Sequence, residues 1–145
     1  VRMKECRRVK TDQADIEYRI DATITAAELA DLFRRSGIRR PVDDSDRLSA
    51  MIRHASLVIT AWRSGRLVGV ARSLTDFSYC CYLSDLAVDH DLQGAGIGTE
   101  LVRRTKAAAG EHSMLLVLSA PDAMGFYPKI GMEPVDNGWV IKRTR

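Results

Sequence analysis

The sequence contains no long apolar run, few aromatic residues and few cysteines. Aromatic residues make up 6% of the 145 positions, and no apolar segment approaches the roughly 20 residues that a membrane-spanning helix needs. The opening stretch, VRMKECRRVK, is charged and has no apolar segment behind it, so we expect no secretory signal and no membrane partner. Cys6, Cys80 and Cys81 show neither metal-binding nor redox spacing, which predicts reduced thiols, a cytoplasmic location and no metal site.

The net charge is small, which argues against a nucleic-acid partner. The net charge is +3, from 22 Lys and Arg against 19 Asp and Glu. The paired basic residues are scattered and have no aromatic residues between them on which bases could stack, so we interpret them as solvated faces and helix ends. Hydrophobic residues at 46% and charged residues at 28% are typical of a folded globular chain, and the length fits one domain over residues 1–145.

Hydrophobic periodicity predicts the element order β-α-α-β-β-β-α-β-α-β-β. Thr25 with Glu28 forms a capping-box pattern ahead of the first helix, and Gly37 marks its end. The runs LVITAW, LVGVARSL and SYCCYLSDLAV predict three antiparallel strands, whereas MLLVLSA predicts a buried strand parallel to the third. MEPV and WVIKRT predict a closing hairpin around Asn137 and Gly138. The expected fold is α/β (α+β): a single mixed, largely antiparallel sheet with a central parallel pair and helices on both faces.

Three glycines stand at alternate positions directly before the helix that is expected from Ile97. Gly94, Gly96 and Gly98 would leave backbone N–H groups open at the positive end of that helix, which favours an anion such as a pyrophosphate. A nucleotide phosphate-binding loop is disfavoured because Gly98 is followed by Thr99 and not by lysine. A dinucleotide fingerprint is disfavoured because the glycine spacing is too tight. A turn without any ligand is the remaining alternative.

Two segments resemble the GNAT superfamily of N-acetyltransferases. LAVDHDLQGAGIGTELV is similar to its acyl-CoA-binding signature, and APDAMGFYPKIGMEPV is similar to its closing segment. The two motifs follow in the family's order, and the predicted elements match the family across nearly the whole chain. Ala120 and His90 depart from the pattern, because the family often has asparagine and proline at these positions.

The resemblance implies that acetyl-CoA is the co-substrate. Backbone groups of Leu86, Ala87 and Val88 would pair with its pantetheine arm in the manner of an added strand. The pyrophosphate would be held by N–H groups of the glycine-rich loop. The implied cofactor-binding set therefore also contains Gln93, Gly94, Ala95, Gly96, Ile97, Gly98 and Thr99, together with Phe126 of the closing segment.

The same resemblance suggests two catalytic residues. Tyr127 matches the tyrosine that commonly donates a proton to the departing CoA sulfur, although packing on a helix face is an alternative role. Asp85, the only acid inside the strand that ends at Val88, is the candidate base. Asp85 could equally cap a bulge or bond the backbone, and Tyr82 and Ser84 could order a water instead.

The implied function is transfer of the acetyl group of acetyl-CoA to a primary amine by direct attack in a ternary complex. The acceptor is open between a small molecule and a peptide or protein, and a homodimer is left open as well. The acceptor region is expected at RRPVDDSDR and DFSYCCY. The acids of the first segment could attract a cationic amine, but helix capping is the favoured explanation for them. The alternative is a catalytically silent acyl-CoA-binding regulatory module on the same fold.

Overall fold

The computed structural model describes residues 15–145, so Cys6 and the opening basic stretch lie outside the described residues. In this part of the chain, five strands and four helices follow the predicted order up to the closing hairpin. Short 3-10 turns at His90–Leu92 and Pro121–Ala123 join them. The elements are β1 (Glu17–Ile20), α1 (Ala26–Ser36), α2 (Ser45–Arg53), β2 (Leu57–Arg63), β3 (Arg66–Thr75), β4 (Cys80–Val88), α3 (Ile97–Ala109), β5 (Met114–Val117) and α4 (Phe126–Lys129).

The helix signals in the sequence are confirmed by the cap geometry. The Thr25 hydroxyl accepts a hydrogen bond from the Glu28 N–H at 3.1 Å, and the Glu28 carboxylate accepts one from the Thr25 N–H at 3.1 Å. Gly37 ends α1 in the left-handed conformation, with a φ of 80°. At the start of α2 the Asp44 carboxylate accepts from the Arg47 N–H at 3.0 Å, so this acid is the helix cap.

The strands form one sheet in the order β1-β2-β3-β4-β5. Neighbours from β1 to β4 are antiparallel, and β4 pairs with β5 in parallel, so the mixed, largely antiparallel sheet is confirmed. The predicted position of the parallel pair in the centre was wrong, because β5 is the edge strand. The predicted closing hairpin does not form either, and residues 133–145 are exposed and contain no strand. Local strand propensity is insufficient there, because an isolated hairpin is marginal without a sheet to pair with.

Helices cover both faces of the sheet, as predicted. One apolar core lies between the sheet and α3, where Ile97 and Leu101 are buried against residues from β2, β3 and β4. The other lies beneath α1 and α2, and it contains the fully buried Phe33 and Leu48. No helix within residues 15–145 is both long enough and apolar enough to span a bilayer.

Candidate active site

The pairing between β4 and β5 ends half-way along β4. Their pairing covers four positions and ends where Leu83 lies opposite Val117. β4 continues to Val88 and pairs there only with β3 on its other side. In the described chain, residues 86–88 therefore have one edge that no strand occupies. An extended ligand can add to such an edge through backbone hydrogen bonds.

A bulge in β4 explains which side chains reach this opening. The register between β3 and β4 shifts so that Arg72 lies opposite Asp85 while Ser73 lies opposite Leu83, and Ser84 is the extra residue. Residues two apart in a regular strand share a face, but here they do not. Leu83 belongs to the core on the α3 side, whereas Asp85 contacts Arg72 on the side covered by α1 and α2.

The glycine-rich loop connects β4 to the first turn of α3. Gly94 and Gly96 have φ values of 83° and 90°, a region that residues with a side chain rarely adopt. Gly96 is the N-cap of α3 and provides no side-chain cap for the helix. In the described structure, the N–H groups of Ile97, Gly98 and Thr99 are left for an outside acceptor at the positive end of the helix.

Side chains hold this loop against the rest of the domain. The Gln93 amide donates to the Val88 carbonyl at 3.0 Å and to the Ser36 carbonyl at 3.3 Å. The backbone N–H of Gln93 donates to the His90 carbonyl at 3.3 Å. Gln93 therefore holds the loop in place through three hydrogen bonds. Arg35 at the end of α1 pairs with Asp89 at 2.5 Å and also donates to the Leu67 carbonyl at 2.7 Å. The position of the loop is thus tied to α1 and β3.

Gly98 has a packing role that the sequence did not reveal. A Cβ atom at this position would lie 3.3 Å from the Phe126 ring and 3.8 Å from Val88. Phe126 packs on the α3-side core and contacts the Tyr127 ring edge-on, with the ring centroids 5.1 Å apart. The missing side chain therefore lets Phe126 approach α3, and Phe126 in turn positions Tyr127.

Tyr127 is partly buried, and its hydroxyl makes no hydrogen bond within residues 15–145. Burial raises the pKa of Tyr127 above its ordinary value of 10, and the nearby positive charge of Arg40 partly offsets that effect. A phenol with a raised pKa is fully protonated at neutral pH. Its hydroxyl is therefore available as a proton donor.

Asp85 is fully buried between two arginines. One of its carboxylate oxygens accepts from Arg40 and the other from Arg72, each at 2.5 Å. The same guanidinium groups hold the bulge, because Arg40 donates to the Ser84 carbonyl at 2.9 Å and Arg72 to the Ser84 hydroxyl at 3.1 Å. Asp85 and the two arginines together carry a net charge of about +1 when all three side chains are ionised.

The sequence analysis missed both arginines. Arg40 was interpreted as part of a solvated basic pair, but its side chain crosses from the α1–α2 loop to β4. Arg72 carried a usable signal, since a charge in the middle of the apolar run LVGVARSL demands a buried partner. Its partner could not be identified from spacing alone.

A cleft of about 440 Å³ lies beyond the bulge, at the other end of β4. The residues that line it include Leu74, Tyr82 and Leu116 together with Asp76 and Cys80, so it overlaps the acceptor region expected at DFSYCCY. Backbone N–H groups of residues 78–80 donate to the Asp76 carboxylate and lower its pKa to about 2. The cleft is therefore apolar with one ionised carboxylate. Within residues 15–145 no group of acids, histidines and cysteines could hold a metal ion.

Comparison with known proteins decides the family. The profile described as "Acetyltransferase (GNAT) domain" matches residues 29–140. The chain belongs to the GNAT acetyltransferase family. A curated relative, the "Uncharacterized N-acetyltransferase ycf52" of Porphyra purpurea, is 28% identical over 131 residues, which cover 84% of this chain and 72% of that protein.

Solved GNAT structures share the fold. The GNAT family acetyltransferase SP0256 from Streptococcus pneumoniae superposes with a TM-score of 0.70 at 20% identity, covering 90% of this chain and 98% of that one. The aminoglycoside N-acetyltransferase AAC(6')-Iy, solved in complex with CoA, superposes with a TM-score of 0.66 at 11% identity, covering 90% and 95%. Membership of the family confirms the resemblance found in the sequence and supports acyltransferase activity for this GNAT chain.

Proposed function

We propose that this chain transfers the acetyl group of acetyl-CoA to a primary amine by direct attack. One observation carries the proposal: the free edge of residues 86–88 is followed, across the glycine-rich loop, by the open N-terminus of α3, and Tyr127 contacts Phe126, which lies beside Gly98 of that helix. The extended pantetheine arm of acetyl-CoA needs a free strand edge, and its pyrophosphate needs an open helix N-terminus, in that order.

The residues present fit acetyl-CoA. Main-chain groups of residues 86–88 would pair with the pantetheine arm, and the N–H groups at the start of α3 would hold the pyrophosphate. Gly94 and Gly96 keep that loop free of side chains while they adopt positive φ. Acetyl-CoA supplies the activated acetyl thioester, and the chain supplies the groups that bind it, orient it and move protons.

Tyr127 is the proposed proton donor to the departing sulfur. The hydroxyl is protonated at neutral pH, and a free phenol with a pKa of ~10 is reasonably matched to a thiol with a pKa of ~8.5. Burial raises the pKa of Tyr127 and so widens that gap, and the positive charge of Arg40 offsets part of the effect. Arg40 assists from the α1–α2 loop, because its positive charge stabilises the phenolate that forms as the proton leaves. We assign Arg40 a positioning and electrostatic role.

The surroundings of Asp85 favour a structural role over proton transfer. A base must be within reach of the amine, but Asp85 is fully buried and each of its oxygens is held by a guanidinium group. The acceptor amine, with an ordinary pKa of ~10, then loses its proton to water in the opening between β4 and β5. We place the acceptor in the apolar cleft that Tyr82 lines, two residues before the bulge.

The test is CoA release from acetyl-CoA against a broad panel of primary amines. With the amine that reacts, Tyr127→Phe should lower kcat by roughly 10²–10⁴-fold, the usual contribution of a positioned acid, and leave acetyl-CoA affinity unchanged. Tyr79→Phe is the matched control, because the Tyr79 side chain is 80% exposed and is not part of the cleft lining, although it lies in the segment DFSYCCY, and its variant should have no effect. An unchanged rate in Tyr127→Phe would remove the acid from the mechanism. Acetyl-CoA binding without turnover on any amine would support the silent module instead.

A further inference from the structure

The arginines at the β4 bulge leave one positive charge without a counter-charge. Arg40 and Arg72 share the single carboxylate of Asp85, and within residues 15–145 neither guanidinium group pairs with a second acid. The side chain of Arg72 is 9% exposed and that of Arg40 is 28% exposed, so an outside group can reach this charge through Arg40. Charge that is partly withdrawn from water is stabilised by an anionic partner.

Arg40 also has hydrogen-bond donors to spare. A guanidinium group has five N–H donors. Nε of Arg40 donates to Asp85, and Nη1 and Nη2 donate to backbone carbonyls at 2.6 and 2.9 Å. Each terminal nitrogen therefore keeps one N–H that has no acceptor in the described part of the chain. Two N–H groups on one guanidinium match the two oxygens of a carboxylate, which makes arginine well suited to bind that group.

The apolar cleft opens on the same side of the sheet as Arg40. Cys81 and Leu83 of β4 belong to the core on the α3 side, so Tyr82 between them faces the side covered by α1 and α2. Tyr82 lines the cleft. Ser84, whose carbonyl accepts from Arg40, lies two residues further along the strand, a rise of about 7 Å. A ligand bound to Arg40 thus has the cleft within the length of one amino-acid side chain.

The proposed proton donor lies near the same arginine. The positive charge of Arg40 acts on the Tyr127 hydroxyl and offsets part of the effect of burial on its pKa. A small molecule held by Arg40 can therefore place a neighbouring amine beside Tyr127.

On the basis of the acetyl transfer proposed above, we propose that the acceptor is a free α-amino acid with an apolar side chain. Its carboxylate pairs with Arg40, and its side chain enters the cleft that Tyr82 lines. The α-amino group is one carbon away from the carboxylate, which brings it to Tyr127. Asp76, at the far end of the cleft, is ionised at neutral pH and disfavours an acidic side chain.

The chemical step balances with the groups present. The ammonium group loses one proton to water, and its nitrogen then attacks the acetyl carbon of the thioester. A C–N bond forms, the C–S bond breaks, and Tyr127 gives its hydroxyl proton to the sulfur. The nitrogen releases its second proton to water, and Tyr127 is protonated again from water. The products are the N-acetyl amino acid and CoA.

Steady-state kinetics with three matched acceptors test the carboxylate. Leucine, leucinamide and 3-methylbutylamine share one apolar side chain, and only leucine carries the carboxylate. Their kcat/KM values are compared per unprotonated amine, because the carboxylate and the amide change the pKa of the amine. Leucine should exceed each of the others by roughly 10–100-fold, the range expected for a hydrogen-bonded pair of charges.

Two variants separate this role of Arg40 from its other contacts. Arg40→Lys keeps a positive charge near Tyr127 but loses the paired N–H groups, so the preference for leucine over leucinamide should fall roughly 10-fold. The preference is a ratio measured within one variant, so a loss of stability or of kcat through the bulge cancels. Arg39→Gln is the matched control, because it removes a charge from an exposed side chain one position away and should keep the wild-type ratio.

Calorimetry supplies a readout that does not depend on turnover. When titrated into the chain in the presence of CoA, leucine should bind at least about 10-fold more tightly than leucinamide, and Arg40→Lys should remove that difference. Equal kcat/KM values for leucine and leucinamide, no binding of leucine, or a preference that survives Arg40→Lys would overturn the carboxylate site, while turnover of other amines would leave acetyl transfer in place. A calorimetric preference for leucine without turnover of any amine would keep the site and remove the proposed function.

Discussion

Replacement of Asp85 with asparagine separates a structural role for this carboxylate from a role in proton transfer. The change keeps the shape of the side chain but removes the charge that two guanidinium groups share. It also points an amide N–H₂ at one of these donors. Removal of one partner from a buried ion pair costs about 3–5 kcal/mol, because it leaves charge in the interior uncompensated. Most of that cost should come from Arg72, whose side chain is 9% exposed, and less from Arg40 at 28%.

The expected result is a large loss of thermal stability. For a domain of this size, about 3–5 kcal/mol corresponds to a fall in Tm of roughly 6–20 °C in a calorimetric scan. Asp43→Asn is the matched control. Asp43 pairs with Arg34 at the surface, is 94% exposed and should contribute no more than about 1 kcal/mol. Well below its Tm, Asp85→Asn should keep the shape of the wild-type pH–rate profile, because no titrating base has been lost. A Tm within about 2 °C of wild type, together with loss of the acid limb of the pH–rate profile, would refute the reasoning and make Asp85 the base.

Three further predictions concern the loop, the proton donor and the β3–β4 turn. Gly96→Val forces a side chain into a φ of 90°, and we expect lost acetyl-CoA binding in calorimetry with an unchanged circular dichroism spectrum. Arg40→Gln should raise the pKa of Tyr127 further, lower kcat and move the alkaline limb of the rate profile upward, as tyrosinate absorbance can check. Asp76 has a pKa lowered from 3.8 to about 2, so its stabilisation is complete above pH 4 and is lost as the pH falls towards 2. Asp76→Asn should therefore flatten the acid limb of a Tm-against-pH curve, and an unchanged limb would contradict this.

The arginine pair around Asp85 also joins several elements of the fold at the β4 bulge. Arg40 joins the α1–α2 loop to β4, and Arg72 joins β3 to the same carboxylate and to the Met51 carbonyl of α2. The bulge at Ser84 is held from both sides, so the place where β4 leaves β5 is set by buried charge. The pairing with two arginines accounts structurally for a single acid in the middle of an apolar strand.

Features of the fold that depend on neighbouring residues could be predicted from the sequence by itself. The capping box at Thr25 and the glycine loop before α3 rest on residues within a few positions of one another. The hairpin between β2 and β3 depends in the same way on the Ser64 and Gly65 turn, so local conformational preference was sufficient. The two GNAT-like segments, quoted from the sequence alone, lie within the region that the family profile matches.

Only the tertiary structure decided the environment of Asp85 and whether the last two predicted strands form. Asp85 meets Arg40 and Arg72 across 45 and 13 positions of sequence, and a bulge, which hydrophobic alternation does not reveal, turns it towards them. The segment around Trp139 has strand propensity, but a strand exists only where an edge accepts its hydrogen bonds. Long-range partners of this kind are set by the packing of whole elements, so neither composition nor spacing could have identified them.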